Sequence, residues 1–181
     1  NWYALGRLAW DHSLTSEKIA EEWLRMTFSS RDEFLKIMIP LMCESRETVV
    51  QYMNPLGLHH IMGTSHHYGP APWVNTLSRP EWNPVYYHKA DSAGIGFDRT
   101  ATGSNALSQY FPEARKRWED VSTCEEKNLL WFHHVPWTFK LRSGRTLWDE
   151  LCYNYYTGAS KVKQMQVSWK KMQPFVDSQR F

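Results

Sequence analysis

Between Pro55 and Gly103 the chain collects its most chemically versatile side chains in a stretch with no sustained helical or strand period. Gly57-Leu58-His59-His60-Ile61-Met62 leads into His66-His67-Tyr68-Gly69-Pro70-Ala71-Pro72-Trp73. Tyr86-Tyr87-His88-Lys89-Ala90-Asp91 and Gly94-Ile95-Gly96-Phe97-Asp98-Arg99-Thr100 follow. Histidine, tyrosine, tryptophan, aspartate and arginine interleaved with glycine is the composition of a polar ligand site with flat apolar walls. The stretch holds five prolines, six glycines and five of the eight histidines, so regular structure should be sparse, and its aromatic content argues against disorder.

Each chemistry these residues could perform has a plainer competitor. The histidines come as neighbours, His59-His60, His66-His67 and His133-His134, whose side chains diverge along a helix or strand, whereas zinc ligands stand about two to five residues apart. Histidines hydrogen-bonded to backbone or ligand are therefore expected, with no metal and no cofactor. Asp91 and Asp98 could supply the carboxylate pair of a glycosidase, but turn-capping at Asp91 and pairing of Asp98 with Arg99 or a nearby amide are the expected roles. Gly94-Ile95-Gly96 lacks the third glycine and the preceding strand of a phosphate loop and is expected to be a tight turn. No serine sits in a nucleophile-elbow pattern. Cys43, Cys124 and Cys152 are too few and too widely spaced for a disulfide framework, and each is expected to be a buried thiol. They leave the compartment open, with an extracellular or periplasmic setting preferred to a cytoplasmic one.

Helical patterns flank this stretch on both sides. Thr15 is a candidate N-cap for a helix that ends near Phe28 and turns Ile19, Ala20, Trp23 and Leu24 to one face. Ser30-Arg31-Asp32-Glu33 has the form of a capping box for a second helix, with Phe34, Ile37, Met38, Leu41 and Met42 inward and Pro40 expected to kink or split it. Arg46 to Met53 should form a further segment, stopped by Asn54-Pro55. Beyond Gly103, Ser104 could cap a short helix through Tyr110, Pro112 could open one through Trp118, and Thr123-Cys124-Glu125-Glu126 repeats the capping-box pattern. Thr146 to Tyr156, closed by Gly158, and Ala159 to Met172, stopped by Pro174, are the last helices expected. Trp23, Trp118, Trp131, Trp148 and Trp169 should serve the core, while Trp73 and Trp82 are the candidates for exposed stacking surfaces. The fold class is mainly α, an irregular helical domain over residues 1–181, with residues 54–104 as its Gly/Pro/aromatic-rich functional loop region.

The formal charge of +2 is small and its cations are scattered among acids, which excludes a nucleic-acid stripe. No apolar run approaches a membrane span.

In these same segments the chain resembles the C-terminal domain of glycoside hydrolase family 67, the α-glucuronidases. The blocks that carry the resemblance are Gly6-Arg7-Leu8-Ala9-Trp10-Asp11, Pro55-Leu56-Gly57, His66-His67-Tyr68-Gly69-Pro70, Gly94 to Thr100, Phe132-His133-His134-Val135-Pro136 and Ser143-Gly144. The resemblance implies an inverting enzyme that cleaves the α-1,2 bond between (4-O-methyl)glucuronic acid and xylose in xylan-derived oligosaccharides. It implies an N-terminal domain and a catalytic (β/α)₈ barrel upstream of Asn1, with the catalytic carboxylates there and none in this chain, and a homodimer. A barrel alone takes roughly 250 residues. By position, His66, His67, Tyr68, Trp73, Tyr87, His88, Asp98 and Arg99 would belong to a substrate-binding loop over the barrel mouth. Trp73 would cover the xylose side, and Arg99 and the histidines would bind sugar hydroxyls or hold the loop in shape. The main alternative is a structural docking and dimerisation element with Trp73 and Trp82 inaccessible. An autonomous carbohydrate-binding module is the other, although too little period-two alternation exists for a sandwich.

Overall fold

The computed structural model describes residues 1–59, 61–63 and 69–181 and is mainly helical. Helices α1 (Trp2–Trp10), α2 (Ser16–Thr27) and α3 (Asp32–Met53) are followed by the irregular stretch, which contains α4 (Pro84–His88) and strand β1 (Gly94–Ile95). Then come α5 (Pro112–Trp118), α6 (Leu129–Phe132), strand β2 (Val135–Pro136) and α7 (Leu147–Lys171), with short 3₁₀ turns between them. The chain forms two compact units, one of residues 1–50 and 157–181, the other of residues 51–156.

In the first unit, α2 begins as the sequence suggests, with Thr15 Oγ1 accepting the Lys18 amide at 3.2 Å and Ile19, Ala20 and Leu24 buried. Its core gathers Leu24, Phe34, Leu35, Met38 and Met172, with Phe28 packed edge-on against both Trp23 and Trp169. Helix α1, which the apolar pattern did not announce, buries none of its residues. It is tied instead to α2 through Glu22, which accepts from Arg7 Nε at 2.8 Å and from the Tyr3 hydroxyl at 3.0 Å.

Several expectations for the helices are corrected. Pro40 lies inside one continuous α3, so the segments on either side of it are a single element. The Ser30 capping box does not form: the Arg31 carbonyl accepts the first amides of α3, from Phe34 and Leu35, each at 3.1 Å. Ile37 is exposed and Leu35 takes the inward place. The Thr123 box is also absent, because its hydroxyl donates to the Arg117 and Asp120 carbonyls, each at 3.2 Å. Gly158 does not close a helix; it is a buried interior residue of α7, where backbone hydrogen bonding on both sides outweighs the modest helix penalty of glycine.

The core of the second unit is built on Leu58, Ile61, Leu107, Leu129, Leu130, Phe132, Val135, Leu147 and their neighbours. Strands β1 and β2 pair antiparallel, Gly94 opposite Pro136 and Ile95 opposite Val135. From there the chain runs alongside α6, with the Phe97 amide donating to the Leu130 carbonyl at 3.2 Å and the Arg99 amide to the Phe132 carbonyl at 2.9 Å. Gly96 is required on this path, since its φ of +109° would strain any L side chain and an added Cβ would stand 2.1 Å from the His133 carbonyl oxygen. Trp118 and Trp131 pack on this core, but Trp148 is 58% exposed and Cys152 is exposed rather than buried.

Candidate functional site

The irregular stretch of the second unit is held in shape by its own polar side chains. Buried Asn83 accepts the Leu77 amide at 2.9 Å and donates to the Arg79 carbonyl at 3.0 Å, fixing the bend that precedes α4. At the other end of α4, buried His88 is bonded through both ring nitrogens: Nδ1 accepts the Ala90 amide at 2.9 Å and Nε2 lies 2.7 Å from the Pro72 carbonyl oxygen. A backbone N–H can only donate, so Nδ1 is the bare nitrogen and Nε2 carries the proton given to Pro72.

Asp91 caps a turn, its Oδ1 accepting the Ala93 amide at 2.7 Å and the Gly94 amide at 2.9 Å. Those backbone donors, with Gly94 the strongest, hold its carboxyl below the usual range. Asp98 accepts from the Thr100 amide at 2.8 Å and from the Thr100 and Thr102 hydroxyls at 2.7 and 2.8 Å. Burial alone would raise Asp98, but these donors outweigh it and leave the carboxyl lowered. Gly103 closes against this knot, where a Cβ would come within 2.6 Å of the Asp98 carboxyl carbon. Both aspartates line one cleft of about 490 Å³ with Lys89, Phe97, Ser104 and His134. His134 Nε2 stands 3.4 Å from Asp91 Oδ2, within ion-pair reach. Neither carboxyl is poised as a general acid, which requires a raised pKa.

Arg99 is half-buried and lies against two aromatic faces, its guanidinium carbon 4.1 Å from the Trp131 ring centre and 4.5 Å from that of Phe97. It donates to the Trp131 carbonyl, and among the described residues no carboxylate pairs with it. Burial lowers its pKa, though a guanidinium remains charged at any physiological pH. Around it the rings continue: Tyr86 lies 5.6 Å from Phe97 and 5.1 Å from Tyr87, and His59 packs edge-on against Tyr87 at 5.0 Å and Trp131 at 4.6 Å. Lys89 covers Tyr86 at 4.7 Å. An aromatic wall carrying cations that, among the described residues, no carboxylate pairs with suits an oxygen-rich, anionic or hydroxylated ligand.

The structure thus brings Tyr87 and Arg99 into one wall. It places His88 and Asp98 as fasteners of the backbone around that wall, and it leaves Trp73 75% exposed in a turn closed by the Val74 amide on the Ala71 carbonyl. Trp82 is 52% exposed beneath the Arg79 guanidinium. His66, His67 and Tyr68 lie outside the described residues. His59, Tyr86, Phe97 and Trp131 also form the wall but were not singled out from sequence. Three of them sit in the blocks already quoted, whereas Trp131 is concealed in an apolar run that reads as core. His133, in the third histidine pair, is buried with Nε2 2.8 Å from the Trp118 carbonyl oxygen, and burial lowers its pKa; it fastens backbone rather than joining the wall.

Comparison with known proteins gives this geometry a context. Residues 1–181 match the family model described as the C-terminus of glycosyl hydrolase family 67. The chain is 34% identical over 184 residues to alpha-glucuronidase A of Emericella nidulans, with all of this chain and 21% of the relative covered. It is 33% identical over 183 residues to the alpha-glucuronidase of Hypocrea jecorina and 31% to a probable alpha-glucuronidase A of Aspergillus niger, at the same coverage. The chain therefore spans about a fifth of the length of these relatives, and the match along its whole length shows that it belongs to glycosyl hydrolase family 67, as that family's C-terminal region.

Proposed function

We propose that this chain is the C-terminal domain of an α-glucuronidase that releases (4-O-methyl)glucuronic acid from xylo-oligosaccharides with inversion. Its loop region forms one wall of the active site, and the chemistry is performed by carboxylates outside these 181 residues. The observation that carries this reading is Trp73, a large aromatic held 75% exposed on a loop whose backbone is fastened from several directions. Ordering an exposed indole in this way makes sense where its face meets a ligand, and the flat face of a pyranose is a suitable partner. A purely structural element would instead need Trp73 and Trp82 covered by a partner surface in the full-length protein. The lowered pKa values of Asp91 and Asp98 also weigh against either as the general acid, because neither would hold a proton to give to a leaving group near neutral pH.

In this reading Trp73 covers the xylose side of the branch point. Arg99, on its aromatic wall with Tyr87, faces sugar hydroxyls, and His66, His67 and Tyr68 complete the loop. The chain works joined to its own catalytic barrel, in a homodimer. The test is Trp73→Ala in the full-length protein, assayed by glucuronic acid release from an aldouronic acid oligosaccharide. Loss of one stacking contact should raise KM roughly three- to tenfold, the equivalent of about 0.5–1.5 kcal/mol. An unchanged KM would remove Trp73 from the site.

A further inference from the structure

The exposed Trp73 follows directly on Pro72, whose backbone carbonyl the buried His88 holds. Residues 71–74 form a tight turn, with the Val74 amide donating to the Ala71 carbonyl at 3.1 Å. Pro72 and Trp73 are its two central residues, and proline in the first of those places is favoured because its ring presets φ. The Pro72 carbonyl belongs to the peptide plane joining Pro72 to Trp73. Rotation of that plane is the freedom a tight turn retains, and it changes the direction in which the Trp73 side chain leaves the backbone. His88 Nε2, 2.7 Å from this oxygen, fixes the plane. The imidazole is itself fixed, since Nδ1 takes the Ala90 amide at 2.9 Å and the ring is buried at the end of α4, where Lys89 adopts the left-handed conformation with φ +49°.

From this geometry we infer that His88 is a positioning residue for Trp73: one imidazole bridges the backbone at Pro72 and Ala90 and sets the direction in which the exposed indole is presented to sugar. This inference rests on the reading of Trp73 as a sugar-facing surface. Arg99, Tyr86 and Tyr87 meet the aromatic wall through their side chains, whereas His88 acts only through the turn. It needs no contact with substrate.

The two bonds of His88 can be separated by substitution. In His88→Asn the amide oxygen can replace Nδ1 as acceptor for Ala90 but cannot reach Pro72; in His88→Gln the longer amide can replace Nε2 as donor to Pro72. The full-length protein would carry each change, Trp73→Ala, and the His88→Asn/Trp73→Ala pair. Two readouts are taken: hydrogen exchange at the Val74 amide, and KM and kcat for aldouronic acid oligosaccharide. The expected result is that His88→Asn speeds Val74 exchange about tenfold or more and raises KM as much as Trp73→Ala does, with kcat within about twofold. The pair should be no worse than Trp73→Ala alone, and His88→Gln should restore both readouts.

Unaltered exchange in His88→Asn, or a KM effect that adds to that of Trp73→Ala, overturns the inference. Should His88→Asn fail to fold, His88→Gln still decides, because a raised KM or faster exchange in a variant that keeps the Pro72 bond contradicts the assignment. An unchanged KM in Trp73→Ala would sink the sugar-facing reading separately, and the exchange result would still report whether His88 holds the turn.

Discussion

At the scale of single residues, most polar groups of the loop region serve to place the backbone, and a few are left to face outward. Glu125 shows how strongly such a fastening can be felt. It accepts from Arg117 and, at 2.9 Å, from the indole N–H of Trp118, whose ring is stacked on Phe132 at 4.8 Å. The Arg117 guanidinium, with further help from the Glu125 backbone and Trp118, pulls its carboxyl from an ordinary 4.5 down to about 2. A carboxyl whose pKa is depressed by folding stabilises the folded state fully above its unfolded value, and that stability is lost as pH falls through the folded one. Thermal unfolding of the parent and Glu125→Gln should therefore differ at pH 7, converge between pH 4.5 and about 2, and coincide below that. A difference that persisted unchanged to pH 2 would mean that the charge at Glu125 contributes nothing.

The turn at Asp91 was legible in the sequence because aspartate is a short acceptor matched to amides two and three residues on. The fastening by His88 was not, because its partner lies sixteen residues away and is a backbone carbonyl, which no side-chain pattern encodes.

At the scale of elements, local signals located the helices better than they located the helix ends. Thr15 caps α2 and Pro112 opens α5 as their chemistry suggests, since both effects act within one turn. Pro40 and Gly158 read as interruptions, yet α3 and α7 run through them. In each case the summed hydrogen bonds and burial of a long helix exceed one local penalty. That penalty should be recoverable at Pro40, which is exposed and lacks only its amide. Pro40→Ala restores a helix donor at an exposed position, and should raise stability by roughly 1–2 kcal/mol after allowing for the greater freedom of the unfolded chain. Denaturant titration reads this directly, and a loss of stability would show that proline shapes α3 in a way its neighbours depend on.

At the scale of the whole molecule, the chain corresponds to about a fifth of the length of the α-glucuronidases it resembles. It holds two hydrophobic cores, in units of residues 1–50 with 157–181 and of residues 51–156, and the loop carboxylates of Asp91 and Asp98 are committed to backbone and hydroxyl donors. The chain on its own should therefore release no glucuronic acid from aldouronic oligosaccharides, while a full-length relative-sized protein does so under the same conditions. Isothermal titration of both with the oligosaccharide, with product measured in the same samples, checks this. Hydrolysis by the chain alone would return Asp91 and Asp98 to the catalytic role.

What the sequence by itself determined is the mainly α class, the placement of most helices, the aromatic and glycine-rich stretch as a largely irregular segment, and the family, whose short blocks survive as residue strings. These rest on interactions within a few residues or on the identity of the strings themselves. Only the tertiary structure decided which tryptophans are covered, for example that Trp131 backs Arg99 and that Trp148 lies open. It alone joined β1 to β2, drew His59, Tyr87 and Arg99 into one wall, and turned His88 inward to hold Pro72. Burial and long-range hydrogen bonding depend on which distant segments meet, and that meeting is set by packing of the whole chain rather than by any local pattern.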